Sequence, residues 1–212
     1  MAVYIGSGLD IIPVLMYNKI KEFTFIDSQP QSEFGILGYN EKRYYRKTFI
    51  DNLNKIMKNN KFEKNKEEKN ILVFTNSETK QTITYYINTS FPEHINTKII
   101  EDIKKSTHLI LCGYDPNYKI LEYMPNLTTV ICNLLTFYSK NKDGYETPES
   151  STTLKLYEKN YKYELVCEKE SYEYWKYENI NLTTIKDFSI INFNTLEELE
   201  EYRKKQFTAL YD

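Results

Sequence analysis

The sequence predicts an α/β fold, a three-layer sandwich whose mostly parallel central sheet gains antiparallel strands toward the C-terminus. Three observations predict it. Short apolar runs and helical stripes alternate four times between residues 2 and 135, the order that right-handed βαβ crossovers produce. The runs are apolar throughout, as strands covered on both faces must be. After about residue 140 the segments become alternating or aromatic, the pattern of strands with one buried face. The 212 residues suit a single domain with room for a sizeable core, divided into a βαβ core over 1–140 and strand additions over 141–212.

The elements follow in order. Residues 2–5 (Ala, Val, Tyr, Ile) form a buried strand ended by Gly6-Ser7-Gly8. Ile11, Ile12, Leu15 and Met16 recur at helical spacing from Asp10 to Lys19, with Pro13 in the first turn where it is tolerated. A second strand runs from Glu22 to Ile26 and ends at Asp27-Ser28-Gln29-Pro30. Glu41 to Met57 reads as a long helix with Tyr45, Phe49, Leu53, Ile56 and Met57 on one stripe. The charged stretch 58–70 reads as a solvated loop or frayed helix end.

Ile71 to Phe74 and Thr82 to Ile87 are strand-like and predict a hairpin across Ser-Glu-Thr-Lys. Asn96 to Lys105 is a third helix, Leu109 to Cys112 a strand, Tyr118 to Tyr123 a short helix, and Thr129 to Leu135 another strand. Segments 153–158, 161–168, 171–177 and 187–193 predict antiparallel strands, and Thr195 to Phe207 an amphipathic helix burying Leu196, Leu199 and Tyr202.

Composition narrows the function. The chain holds 25 Lys, 20 Asn, 22 Ile and 20 Tyr against two Ala and three Arg, the usage of AT-rich coding sequence. The tyrosine excess and the lysine runs are therefore discounted as functional signals. A net charge of −2 leaves no electrostatic footprint for strong nucleic-acid binding. No apolar run approaches a membrane span, and Met1-Ala2-Val3-Tyr4 does not open a secretory leader. Cys112, Cys132 and Cys167 are widely spaced in apolar runs and read as reduced core thiols of a cytoplasmic protein. His94 and His108 stand apart without metal-ligand company. Neither a nucleophile elbow nor a phosphate-loop lysine occurs.

Glycine is scarce, six residues in all, and two of them are Gly6 and Gly8. A glycine turn after the first strand permits close approach of backbone N–H groups to a ligand. Asp27 ends the next strand nineteen residues past Gly8, placed to accept from both hydroxyls of a ribose. The dinucleotide fingerprint requires a third glycine where Ile11 stands, which disfavours a pyrophosphate ligand, whereas a ligand with adenosine but no phosphates tolerates the absence.

On these residues the chain resembles the class I S-adenosylmethionine-dependent methyltransferases, whose fold is Rossmann-like. Gly6 and Gly8 match the first two glycines of that family's first motif, and Asp27 matches its ribose acid. Tyr4 stands where the family has an acid, and Asp10 where it has a third glycine. Asp115-Pro116-Asn117-Tyr118 matches three of the four positions of the Asp/Asn-Pro-Pro-Tyr loop of amino-methyltransferases. Asp-Pro-Asn is also a common turn opening.

The resemblance implies S-adenosylmethionine (SAM) as cofactor, held by Gly6, Ser7, Gly8, Asp27 and Ser28. It places Asp115 as the catalytic-side residue, with Tyr114 and Tyr118 facing the acceptor. That acceptor is a small molecule, a protein or a nucleic acid. Two alternatives stand beside this reading: a non-catalytic methyltransferase-like subunit or interaction module, motivated by Tyr4 and Asp10, and an NAD(P)-binding oxidoreductase, opposed by Ile11.

Overall fold

Strand β1 (Ala2–Ile5) runs down the middle of a nine-stranded sheet. The computed structural model describes residues 1–28, 46–89, 95–111, 118–133, 160–168, 188–199, 201–202 and 205. Ala2, Val3 and Tyr4 are wholly buried, so this strand cannot lie at an edge. It pairs in parallel with β2 (Glu22–Ile26) on one side. On the other side it pairs, also in parallel, with the fourth strand of the parallel set, which spans His108–Leu111.

Between β2 and that strand the chain forms helix α2 (Arg46–Asn59) and three strands. These are β3 (Glu63–Glu68), β4 (Ile71–Asn76) and β5 (Gln81–Tyr86), with β5 parallel to β2. Helix α3 (Thr97–Lys105) then leads into β6 (His108–Leu111), and β7 (Thr129–Asn133), β8 (Lys162–Glu168) and β9 (Phe188–Phe193) complete the sheet. The strand order is β3-β4-β5-β2-β1-β6-β7-β8-β9. The order reverses beside β1, where the chain leaves toward β2 and returns at β6.

Successive strand residues feed two separate hydrophobic clusters, as a period of two requires. Tyr4, Phe23, Phe25, Ile110 and Ile131 join helix α1 (Ile12–Met16) and the α2 stripe of Phe49, Leu53, Ile56 and Met57. Val3, Ile26, Leu109, Leu111 and Val130 join Ile99 and Ile103 of α3, with Ile120, Leu196 and Leu199. Phe49, Leu53, Ile56 and Met57 of the predicted α2 stripe are buried, as are Ile11, Ile12, Leu196 and Leu199, whereas Leu15, Met16 and Tyr202 are half-buried and Tyr45 lies outside the described residues. Helix α3 starts where Asn96 accepts from the Ile99 N–H at 3.0 Å, a side-chain cap. The C-terminal helix starts with Thr195 Oγ1 accepting from Glu198 N–H at 3.2 Å while Glu198 accepts from Asn194 N–H at 2.8 Å, a variant of the capping box.

Three expectations need correction. The charged stretch 58–70 is not a loop: Glu63–Glu68 is an edge strand, paired antiparallel with β4 through a bulge between Lys64 and Lys66. Every residue of β3 is exposed, so no hydrophobic pattern could reveal it. Its alternating charges suit an edge that must not recruit another strand. Antiparallel strands are therefore not confined to the C-terminal part. Secondly, β8 is parallel to β7, and only β9 runs antiparallel to it. One-sided alternation reveals a buried face but not a direction, and the chain from 134 to 161 is long enough for a parallel crossover. Thirdly, α1 covers only Ile12–Met16, because the Ile20 N–H turns back to the Tyr17 carbonyl at 2.9 Å. Segments 153–158 and 171–177 lie outside the described residues.

Candidate functional site

The carboxyl ends of β1 and β2 meet in one hydrogen-bonded knot. Gly6 and Gly8 have φ of 67° and 53°, the left-handed region where a Cβ would collide with the chain. The Gly6 N–H donates to the Ile26 carbonyl at 3.0 Å, and the Asp10 N–H returns to the Ser7 carbonyl at 2.8 Å. These bonds curl the turn back over the sheet edge.

Asp27 is 5 % exposed. Its carboxylate accepts from the Gly8 N–H at 2.6 Å. Its backbone is held on the other side by the end of β5 and the residues after it: the Asp27 N–H donates to the Tyr86 carbonyl at 3.0 Å, and its carbonyl accepts from the Thr89 N–H at 2.8 Å. Residues nineteen apart in sequence are thus in direct contact.

Tyr85 fastens the same turn from beneath. Its hydroxyl accepts from Ser7 Oγ at 3.1 Å and donates to the Gly8 carbonyl at 2.5 Å. Ser7 is 2 % exposed, so its hydroxyl turns inward to Tyr85. Tyr4 reaches Asp10 in the same layer, its hydroxyl donating to the carboxylate, whose other oxygen accepts from the Ile12 N–H at 2.8 Å. Asp10 therefore steadies the entry to α1, as a short polar residue before a helix can. Burial pushes the Asp10 carboxyl above the usual aspartate range, while its bonds from Tyr4 and Ile12 pull it partly back.

Of the residues singled out from sequence, Gly6, Gly8 and Asp27 come together, and Ser28 follows half-buried. Tyr114 and Asp115 lie outside the described residues, as does the side chain of Tyr118, whose backbone opens the 3-10 helix Tyr118–Tyr123. Cys132 is wholly buried in β7. Tyr85 and the pairing of Tyr4 with Asp10 escaped sequence reasoning. Tyr85 stands 77 residues from Gly8 in a chain of 20 tyrosines, and no local signal distinguishes it.

A cavity of about 400 Å³ opens beyond the end of β5, lined by Asn70, Tyr86, Asn88, Thr89, Asn96 and Ile99 among others. It adjoins Asp27 through Thr89. Among the described residues no group of three or more His, Cys, Asp or Glu could hold a metal ion, and no helix is long and apolar enough to cross a membrane.

Fold and site together define an α/β protein with a glycine turn and a buried acid at the point where strand order reverses. No family model, curated protein or solved structure matches this chain.

Proposed function

We propose that the chain binds SAM over the glycine turn and acts as a cytoplasmic methyltransferase on a Rossmann-like three-layer frame. The contact between Gly8 and Asp27 carries this reading. It sets a turn without Cβ atoms beside a carboxylate at the carboxyl ends of adjacent parallel strands, beyond which ligands of open α/β sheets collect. The parallel strands support the frame: β5-β2-β1-β6-β7-β8 follow the 3-2-1-4-5-6 order of doubly wound dinucleotide-binding sheets. Two core clusters, one on each sheet face, support the three layers.

Two features favour such a ligand. Gly6 and Gly8 would let its adenosine approach the backbone, and Asp27 would accept from ribose hydroxyls. Bound SAM would supply an electrophilic methyl group to a lone pair of the acceptor. The protein's part is alignment, with Asp115 on the acceptor side as the family resemblance implies. The acceptor is a small molecule, a protein or a nucleic acid.

A second reading, a non-catalytic methyltransferase-like module, has its own support. The Ser7 hydroxyl and both polar groups of Gly8 already bond within the chain, and Tyr4 with Asp10 fills two signature positions.

Calorimetric titration separates the two. SAM or its demethylated product is expected to bind the wild type with micromolar affinity. Asp27→Ala, checked by its thermal melt to be folded, is expected to abolish that binding, and NADH to give no heat. A wild type that binds neither SAM nor its product overturns the methyltransferase reading in favour of the module.

A further inference from the structure

We propose that Tyr85 is a positioning residue for the glycine turn, its hydroxyl holding Gly8 in the conformation that meets a ligand. The functional consequence rests on the SAM reading above; the mechanical one does not. Ser7 Oγ, Tyr85 Oη and the Gly8 carbonyl form a directed chain, with Ser7 donating to Tyr85 and Tyr85 donating to Gly8. Such chains strengthen each member by polarisation.

The ring that carries the hydroxyl cannot drift. Tyr85 is wholly buried, edge-on to Phe25 at 5.2 Å and to Phe49 at 6.1 Å. Phe49 belongs to α2 and Phe25 to β2. The hydroxyl is thus anchored by strands and a helix rather than by the turn it serves, the arrangement that gives a site its precision.

Gly8 is held on both sides as a result. Its N–H is bound by Asp27 from β2, and its carbonyl by Tyr85 from β5. Glycine has the least intrinsic preference of any residue for a single backbone conformation, so an external clamp must choose one. Asp27 alone constrains only the amide side. Tyr85 supplies the other constraint and so fixes where the Asp27 carboxylate stands relative to the turn.

Tyr85→Phe keeps the ring and removes only the hydroxyl. It breaks both of these bonds, stranding a buried Ser7 hydroxyl and the Gly8 carbonyl, and at about threefold for each bond the loss predicts about a tenfold effect together. Amide hydrogen exchange on the free protein is expected to speed up about tenfold at Gly8 and Asp10 while Phe23–Ile26 stays protected. In the calorimetric titration the same variant is expected to lose about tenfold in SAM affinity, with its unfolding temperature lowered by only a few degrees.

A double cycle adds a readout that a merely structural role would not move. Ser7→Ala combined with Tyr85→Phe is expected to weaken SAM no more than Tyr85→Phe alone, because both break one chain. Unchanged exchange at the turn overturns the proposal, as does unchanged SAM affinity in the variant. If the wild type binds no SAM while exchange at the turn responds as expected, the SAM reading fails and the clamp stands. If Tyr85→Phe does not fold, Ser7→Ala alone decides the matter: it is expected to raise exchange at Gly8 about threefold, half of the effect on a free-energy scale, and no change overturns the clamp.

Discussion

The Gly8 N–H donates to the Asp27 carboxylate at 2.6 Å, so the acid that ends β2 closes the turn that follows β1. A buried carboxylate must be hydrogen-bonded to be tolerated, and a turn amide covered by protein needs an acceptor. Each residue solves the other's problem. Asp27→Ala is therefore expected to cost about 1–3 kcal/mol of stability, the usual penalty for stranding a buried donor. Asp27→Asn should cost less, since its amide oxygen still accepts. Urea unfolding of the two variants checks the order, and an alanine variant as stable as wild type would show that the bond contributes nothing.

Asp10 sets a pH dependence with a definite sign. Burial raises its native value above the ordinary aspartate value, against the pull of Tyr4 and Ile12. The native state thus holds its proton more tightly than the unfolded chain does. Its contribution is fully present below about pH 3.9, the unfolded value, and is lost as pH rises through the raised native value. Asp10→Asn does not titrate. Relative to wild type, this variant is expected to gain stability as pH rises from 3.5 toward neutrality, measured by urea unfolding at each pH. A difference independent of pH would refute it.

His108 acts in the opposite sense. It opens β6, where burial chiefly, and the N-terminal amino group next, hold its imidazole below the ordinary histidine value, while Glu164 pulls the other way. The native state therefore sheds its proton before the unfolded chain does. Its contribution is present above about pH 6.5, the unfolded value, and is lost as pH falls through the depressed native value. His108→Gln is expected to remove this acid-side decline. Thermal melts between pH 5 and 7.5 should show a shallower slope for the variant, and parallel curves would contradict it.

The start of α3 depends on one side chain. Asn96 accepts from the Ile99 N–H at 3.0 Å, and the helix behind it buries Ile99 and Ile103. Asn96→Ala is expected to cost about 0.5–2 kcal/mol, whereas Asn96→Asp, which caps as well, should be close to neutral. Denaturation midpoints of the pair distinguish loss of the cap from loss of packing.

Much of this protein is determined by local sequence. The runs at 2–5 and 22–26, the hairpin of β4 and β5, and the stripe of α2 all emerge from hydrophobic period, because burial on one or two faces imposes it. The helices predicted from Asn96 and Thr195 start at those residues, whose side chains cap them through local bonds. Gly6, Gly8 and Asp27 stand out in the linear chain as a turn and an acid at the ends of adjacent strands, because scarce glycines and a fixed spacing are local features. The α/β class followed from the alternation alone.

What the tertiary structure decided lies in pairings that no window of residues contains. Glu63–Glu68 became a strand because β4 offered it a free edge, although its own residues bury nothing. β8 runs parallel to β7, since direction depends on a connection and not on the strand's pattern. Ser7 faces inward, and Gly8 is clamped, because the fold delivers Tyr85 to them from 77 and more residues away. Hydrophobic periodicity is a property of one segment, whereas a hydrogen bond between segments exists only once the sheet has ordered them.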